Sequence, residues 1–252
     1  MLTPFIVTDQ TTSKQFVFIE ELIYEKGDAH ISVSELNDNE LIDIKPIIEQ
    51  NFHLSYPFIF KDDNSWYLIP ETRKDKSVRL YECINFPYEW QLKTTLFDDV
   101  EFLDSTIHKK GNTCFLFANE YHPKRNTSNE SLVIYFSKSL EEPWQAHLIN
   151  PVAINIYNSR SAGNLFEYEG KLIMPTQNCA LHDGHSTNFN EIEISESHFS
   201  MKKIGQLEPH WKLKNLGSHT WNQDNGTVIT DGHHYINRLN QYLNRQEKIS
   251  IV

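Results

Sequence analysis

One pattern constrains this chain more than any other: a stretch such as YPFIFKDDNSWYLIPET, Tyr56 to Thr72, returns in altered form four more times. The other copies run from Thr3 to Leu22, Asp104 to Glu120, Ala162 to Asn178 and His219 to His234, about fifty residues apart. Each has a small or polar entry, a short apolar run, a turn rich in Asp, Asn, Gly or Lys, a second apolar run and a polar exit. Apolar runs on either side of such a turn read as a β-hairpin, and strands apolar on both faces belong between two layers. A repeat of this length is one supersecondary unit that buries its face only against its neighbours.

Between the copies lie further strand-like runs, Ser77 to Ile84, Ser131 to Leu140 and Phe189 to Ser195, and aromatic corners at FPYEWQ, Phe86 to Gln91, and EEPWQAH, Glu141 to His147. Four strands per repeat, stacked radially, leave only short protected edges. No long amphipathic helical pattern competes. The expectation is an all-β chain forming one five-bladed β-propeller domain over residues 1–252, with a β-sandwich as the weaker rival. The last run, EKISIV, Glu247 to Val252, is expected to complete a blade near the N-terminus. At 39% hydrophobic and 12% aromatic residues, the chain has the material for such a core. In a propeller the second strand of each hairpin ends at the channel mouth, so carboxylates such as Glu71 are aimed at a shared cavity.

Charge narrows the partners. The formal net charge of -11 repels a phosphate backbone and an anionic bilayer, so neither nucleic acid nor a membrane surface is expected. No apolar run approaches the ~20 residues of a membrane span, and the N-terminus lacks a leader pattern, which points to the cytoplasm. Three scattered cysteines, Cys83, Cys114 and Cys179, without a CxxC pair, argue for buried reduced thiols. HDGH, His182 to His185, brings only two imidazoles together where a metal needs three or four ligands, and DGHHY, Asp231 to Tyr235, reads as a turn and exposed strand edge. Neither a metal nor another cofactor is expected.

Several pieces carry a family resemblance: HLSYPFIF with WYLIPET, FPYEW, FLDSTIH, SLEEPWQAH, SRSAGNLFEYEGKLIMPTQNC and GSHTWN, spread from about Thr3 to Gly232. The chain resembles the N-terminal propeller domain of glucosamine inositolphosphorylceramide transferases and its relatives in bacterial surface-polysaccharide loci. More distantly it is similar to five-bladed glycoside hydrolases of the arabinanase and xylosidase type. No transferase domain like that of the plant proteins follows the propeller in these 252 residues. The inverting hydrolases need a base, an acid and a carboxylate that tunes the acid, the first two about 6.5–9.5 Å apart. The resemblance puts Thr3 at the base position, Asp104 at the tuning position and Arg160 near the acid position, so two of the three parts are replaced.

The candidate catalytic residues are therefore Asp104, Glu71 and Glu20, the two glutamates standing in for the lost base. Candidate substrate-binding residues are Tyr56, Arg160, Gln177, Asn178, His185, Asn188, His219 and Trp221. Arg160 can clamp a carboxylate or phosphate through its planar fork, and Trp221 can stack on a sugar. The alternative is structural: Asp104 and Glu71 cap strand-end amides and Arg160 neutralises them. Two functions stay open. One is a carbohydrate-active protein of surface-glycan or glycoconjugate assembly, handling a glycosyl group at the channel mouth. The other is a non-catalytic glycan or nucleotide-sugar binding module that docks on a partner glycosyltransferase.

Overall fold

A computed structural model of the chain describes residues 3–23, 26–209 and 215–233. The fold is an all-β propeller. The first sheet is a meander of β1 (Phe5–Thr8), β2 (Gln15–Ile23), β3 (Asp28–Asn37) and β4 (Glu40–Ile48). The second repeats it with β5 (Ser55–Asp62), β6 (Ser65–Thr72), β7 (Ser77–Asn85) and β8 (Glu89–Asp98). The third holds β9 (Phe102–Lys110), β10 (Thr113–Glu120), β11 (Ser131–Ser137) and the short β12 (Gln145–Ala146) and β13 (Ala153–Ile154). The fourth is built from β14 (Arg160–Ser161), β15 (Phe166–Tyr168), β16 (Lys171–Asn178), β17 (Ser186–Ile194) and β18 (Phe199–Leu207). A two-stranded sheet follows, β19 (Trp221–Asp224) with β20 (Thr227–Thr230).

The hairpin signals map onto the inner strands. Asp62-Asp63-Asn64-Ser65 closes β5 onto β6, with Asp63 at φ 51°, a left-handed conformation that Asp tolerates in tight turns. The inner strands are buried on both faces: Tyr56, Phe58 and Ile59 on β5, and Leu68 and Ile69 on β6, are at most 1% exposed. The outer strands face water and show it in sequence, as in the mostly exposed β4, ELIDIKPII.

The core lies in the seams between sheets. The largest apolar cluster joins the first three sheets through Phe18, Ile31, Phe58, Leu68, Leu80 and Leu116. A second links Phe117, Leu132 and Ile134 to Met174 and Ile192 of the fourth sheet. A third joins Ile6, Val17 and Ile19 to Ile229 of β20. The ring closes polar-side as well: Asn222 Nδ2 donates to the Pro4 carbonyl at 2.7 Å while its Oδ1 accepts from the Asn164 amide at 2.7 Å. One side chain thus holds the first, fourth and two-stranded sheets together.

Among the described residues the last repeat forms two strands rather than four; the EKISIV run and Trp211 lie outside the described residues. Trp66, Trp90 and Trp144 pack against other aromatic rings of the core. Trp66 stacks on Phe86 at 4.9 Å, Trp90 meets Phe18 of the first sheet edge-on at 5.9 Å, and Trp144 packs on Phe97 at 6.0 Å.

Candidate functional site

The register places one position of the repeat at the same point in three successive sheets. Ser55 pairs with Glu71, Leu103 with Asn119, and Arg160 with Gln177. The next residue on the first strand is Tyr56, Asp104 or Ser161. In the second and third sheets the register slips there, so that two residues face one, and the first residue of each bulge takes a left-handed conformation: Tyr56 at φ 44° and Asp104 at φ 51°. Bulges redirect a side chain at a strand end, and left-handed non-glycine residues concentrate at functional sites.

At this mouth Asp104, only 3% exposed, receives Arg160 Nε on its Oδ2 at 2.8 Å. Arg160 also donates through Nη1 to Asn129 Oδ1 at 2.7 Å and reaches Asp183 Oδ2 at 3.8 Å. Burial works against the guanidinium charge, but Asp104 and Glu71 more than offset it and hold the Arg160 pKa above its ordinary value. Glu71 shows the opposite balance. Loss of water around its carboxyl, then the charge of Asp104, outweigh Arg160 and push its pKa up to about 8. The mouth thus holds a carboxyl, Glu71, that keeps its proton to unusually high pH.

Glu20, 8% exposed, sits at the first-sheet end of the same mouth. Its Oε2 accepts a long hydrogen bond from the Thr3 hydroxyl at 3.5 Å, and its Oε1 lies 3.3 Å from His53 Nε2. The Tyr56 amide donates to the same hydroxyl at 3.1 Å. Thr3 therefore has a carboxylate beside it.

The remaining candidates divide. Tyr56 is fully buried, its hydroxyl 2.9 Å from Thr106 Oγ1, donating to the Gly163 carbonyl at 3.2 Å and accepting from the Gly163 amide at 3.0 Å. It is an internal tie with no free polar atom for a ligand. Gln177 donates to the Ser161 carbonyl at 2.8 Å, and Asn188 to the Tyr157 carbonyl at 2.7 Å, both inside the fold. Asn178 accepts from the Ala180 amide at 3.1 Å and shapes the loop that carries His185. Trp221 is partly buried edge-on against Phe189 at 5.1 Å, and its indole Nε1 has no hydrogen-bond partner. His219 is buried beside Asp231, which also accepts from the His219 and Thr220 amides at 2.9 and 2.8 Å. Asp231 is buried at 7% exposure while Gly232 beside it is exposed; His234 and Tyr235 lie outside the described residues. Asn129, Asp183, Asp231 and His233 were not singled out from sequence as site residues. The signal available was a polar residue at the exit of each second strand, which for the last hairpin is Asp231.

The sequence of residues 1–237 matches the family model described as "Glucosamine inositolphosphorylceramide transferase 1, N-terminal". The chain belongs to that family. Glucosamine inositolphosphorylceramide transferase 1 of Oryza sativa subsp. japonica is 35% identical over 148 residues, 58% of this chain and 20% of the plant protein. Its namesake in Arabidopsis thaliana is 27% identical over 183 residues, 69% of this chain and 23% of its own length. This member of the transferase N-terminal family thus spans about a fifth of the plant relatives. Among solved structures it is similar to an α-L-arabinofuranosidase from Podospora anserina in complex with cellotriose. There the TM-score is 0.66 at 10% identity, covering 92% of this chain and 82% of the other. A thermostable family-43 glycoside hydrolase gives 0.56 at 13% identity, covering 82% and 77%. At such identities the likeness establishes a shared fold.

Proposed function

We propose that this protein is a single five-bladed propeller domain, the β19–β20 hairpin being the inner half of the fifth blade, and that it handles a glycosyl group of a glycoconjugate at the channel mouth. The observation that carries this reading is the convergence of Glu71, Asp104 and Arg160 from three different sheets around a buried ion pair. Arg160 already has Asp104 on Nε and Asn129 on Nη1, so it acts on a ligand as an oriented donor array and not as a mobile clamp. Glu71, largely protonated at neutral pH, donates a hydrogen bond to a sugar hydroxyl or a proton to a leaving oxygen.

Binding outweighs hydrolysis in this arrangement. Asp104 is committed to Arg160, and Glu20 is shared between Thr3 and His53, which leaves water without a free base. The second reading, catalysis with Glu71 as acid and Glu20 as base, is favoured by the raised Glu71 pKa. The plant relatives are named as transferases, and the domain's partner in this reading is a glycosyltransferase that completes the reaction. The three free thiols support a reducing, cytoplasmic setting. Among the described residues no helix is long and apolar enough to cross a membrane.

The test is titration calorimetry with glucosamine, uronic acids, arabino-oligosaccharides and nucleotide sugars, alongside nitrophenyl pentoside turnover. Expected is saturable binding of at least one sugar, weakened about 10-fold or more in Asp104→Asn without loss of the fold, with negligible turnover. No binding to any sugar overturns the reading. Robust turnover abolished by Glu71→Gln replaces it with the catalytic one.

A further inference from the structure

On the other side of the loop that carries Asp183, a second polar cluster lies at the exit of the last hairpin. His219, Asp231 and His233 each offer one ligand atom, and these atoms all lie within 4.8 Å of one another. Asp231 Oδ2 stands 3.3 Å from His233 Nε2 and closer still to His219 Nδ1. Both Asp231 Oδ2 and His233 Nε2 are shut off from solvent, and beyond these contacts with one another and with His219 they meet no other polar group. Three ligand atoms thus converge away from bulk water, close enough together to share one cation. We infer that His219, Asp231 and His233 form a binding site for a borderline divalent metal ion of the zinc class.

The surroundings are built for this. The other Asp231 oxygen, Oδ1, is pinned by the His219 amide at 2.9 Å, the Thr220 amide at 2.8 Å and the Thr220 hydroxyl at 2.9 Å. That fixes the carboxylate plane and leaves Oδ2 to point at the histidines, the kind of outer support that orients metal ligands. Two glycines make room. A β-carbon on Gly217 would come within 2.3 Å of the Gly184 carbonyl oxygen and 3.2 Å of His233 Nδ1, and one on Gly184 within 2.3 Å of His219 Cβ. The loop of Gly184 thus lies directly on the cluster, bringing His182 and His185, whose rings are 5.3 Å apart, with a buried unpaired Nδ1 on His185.

Two imidazoles and one carboxylate suit zinc and its neighbours, whereas calcium and magnesium prefer oxygen throughout. Three protein ligands leave a tetrahedral ion one open position, for water, a loop imidazole or a ligand hydroxyl. The site is independent of sugar binding at Arg160, although Asp183 and Gly184 join the two.

Tag-free protein, stripped with chelator, is titrated with Zn2+ against a chromophoric competitor and separately with Co2+. Expected are about one tight equivalent and an intense tetrahedral-type Co2+ spectrum, with no comparable affinity for Ca2+. Loss of an outer partner alone typically costs 10–100-fold in affinity, so His233→Gln and Asp231→Asn should cost about 100-fold or more. Circular dichroism shows whether each variant folds; should neither fold, the wild-type Co2+ spectrum decides alone. A spectrum like that of hydrated Co2+, unchanged Zn2+ affinity in both folded variants, or a preference for Ca2+ overturns the assignment.

Discussion

Glu71 is held as an acid whose protonation the fold controls, and this has a pH signature. Its ordinary pKa of 4.5 is raised to about 8 by burial and by Asp104. The native state therefore keeps a proton that the unfolded chain releases, so the contribution to stability is full below about pH 4.5 and is lost as pH rises through about 8. Urea unfolding of the wild type against Glu71→Gln at pH 5 and pH 8.5 isolates it. The wild type is expected to lose more stability between the two, and parallel behaviour would show that the carboxyl is unperturbed. Glu71 stands out in the sequence as a polar residue at the end of an apolar strand, whereas Asp104 and Arg160 were pointed to by the family resemblance. Their charge states were not legible, since these depend on partners from three sheets that no local pattern connects. Asp231 was hidden for a related reason: its partner His219 lies across the whole last hairpin, while the DGHH run around it has the composition of an ordinary turn.

The inner hairpins could be read almost residue by residue, because alternating apolar runs and turn residues are local properties. The bulges at Tyr56 and Asp104 could not, since neither residue is a glycine and nothing in the sequence advertises a positive φ. At the register position of Glu71, the third sheet has Asn119, completely buried, which shows what else this place can do. Its Nδ2 donates to the Ser131 and Ser159 carbonyls at 3.1 and 2.9 Å, and its Oδ1 accepts from the Ser161 amide at 2.9 Å, stapling β10 to the start of β14. Asn119→Ala removes all three bonds and leaves buried backbone groups orphaned at about 1–3 kcal/mol each. Chemical denaturation is expected to show a loss of several kcal/mol, roughly 3 or more. A loss below about 1 kcal/mol would mean that water replaces the amide.

Across the whole molecule the sheets meet mainly as neighbours in a ring, with apolar seams and the Asn222 closure supplying the adhesion. An assembly coupled only through adjacent units can lose one unit at a time, and its unfolding then spreads over a range of conditions. The Tyr56 hydroxyl breaks that rule. From the second sheet it bonds both Thr106 of the third and Gly163 of the fourth, skipping a neighbour. Tyr56→Phe should therefore broaden the thermal transition, with the calorimetric enthalpy exceeding the van't Hoff value, as well as lowering its midpoint. An unchanged enthalpy ratio would reduce the hydroxyl to an ordinary buried bond. With the tie intact, the wedges behave as spokes on a common hub: strain applied at one rim position is shared by the others, and the molecule tends to survive or fail as one body.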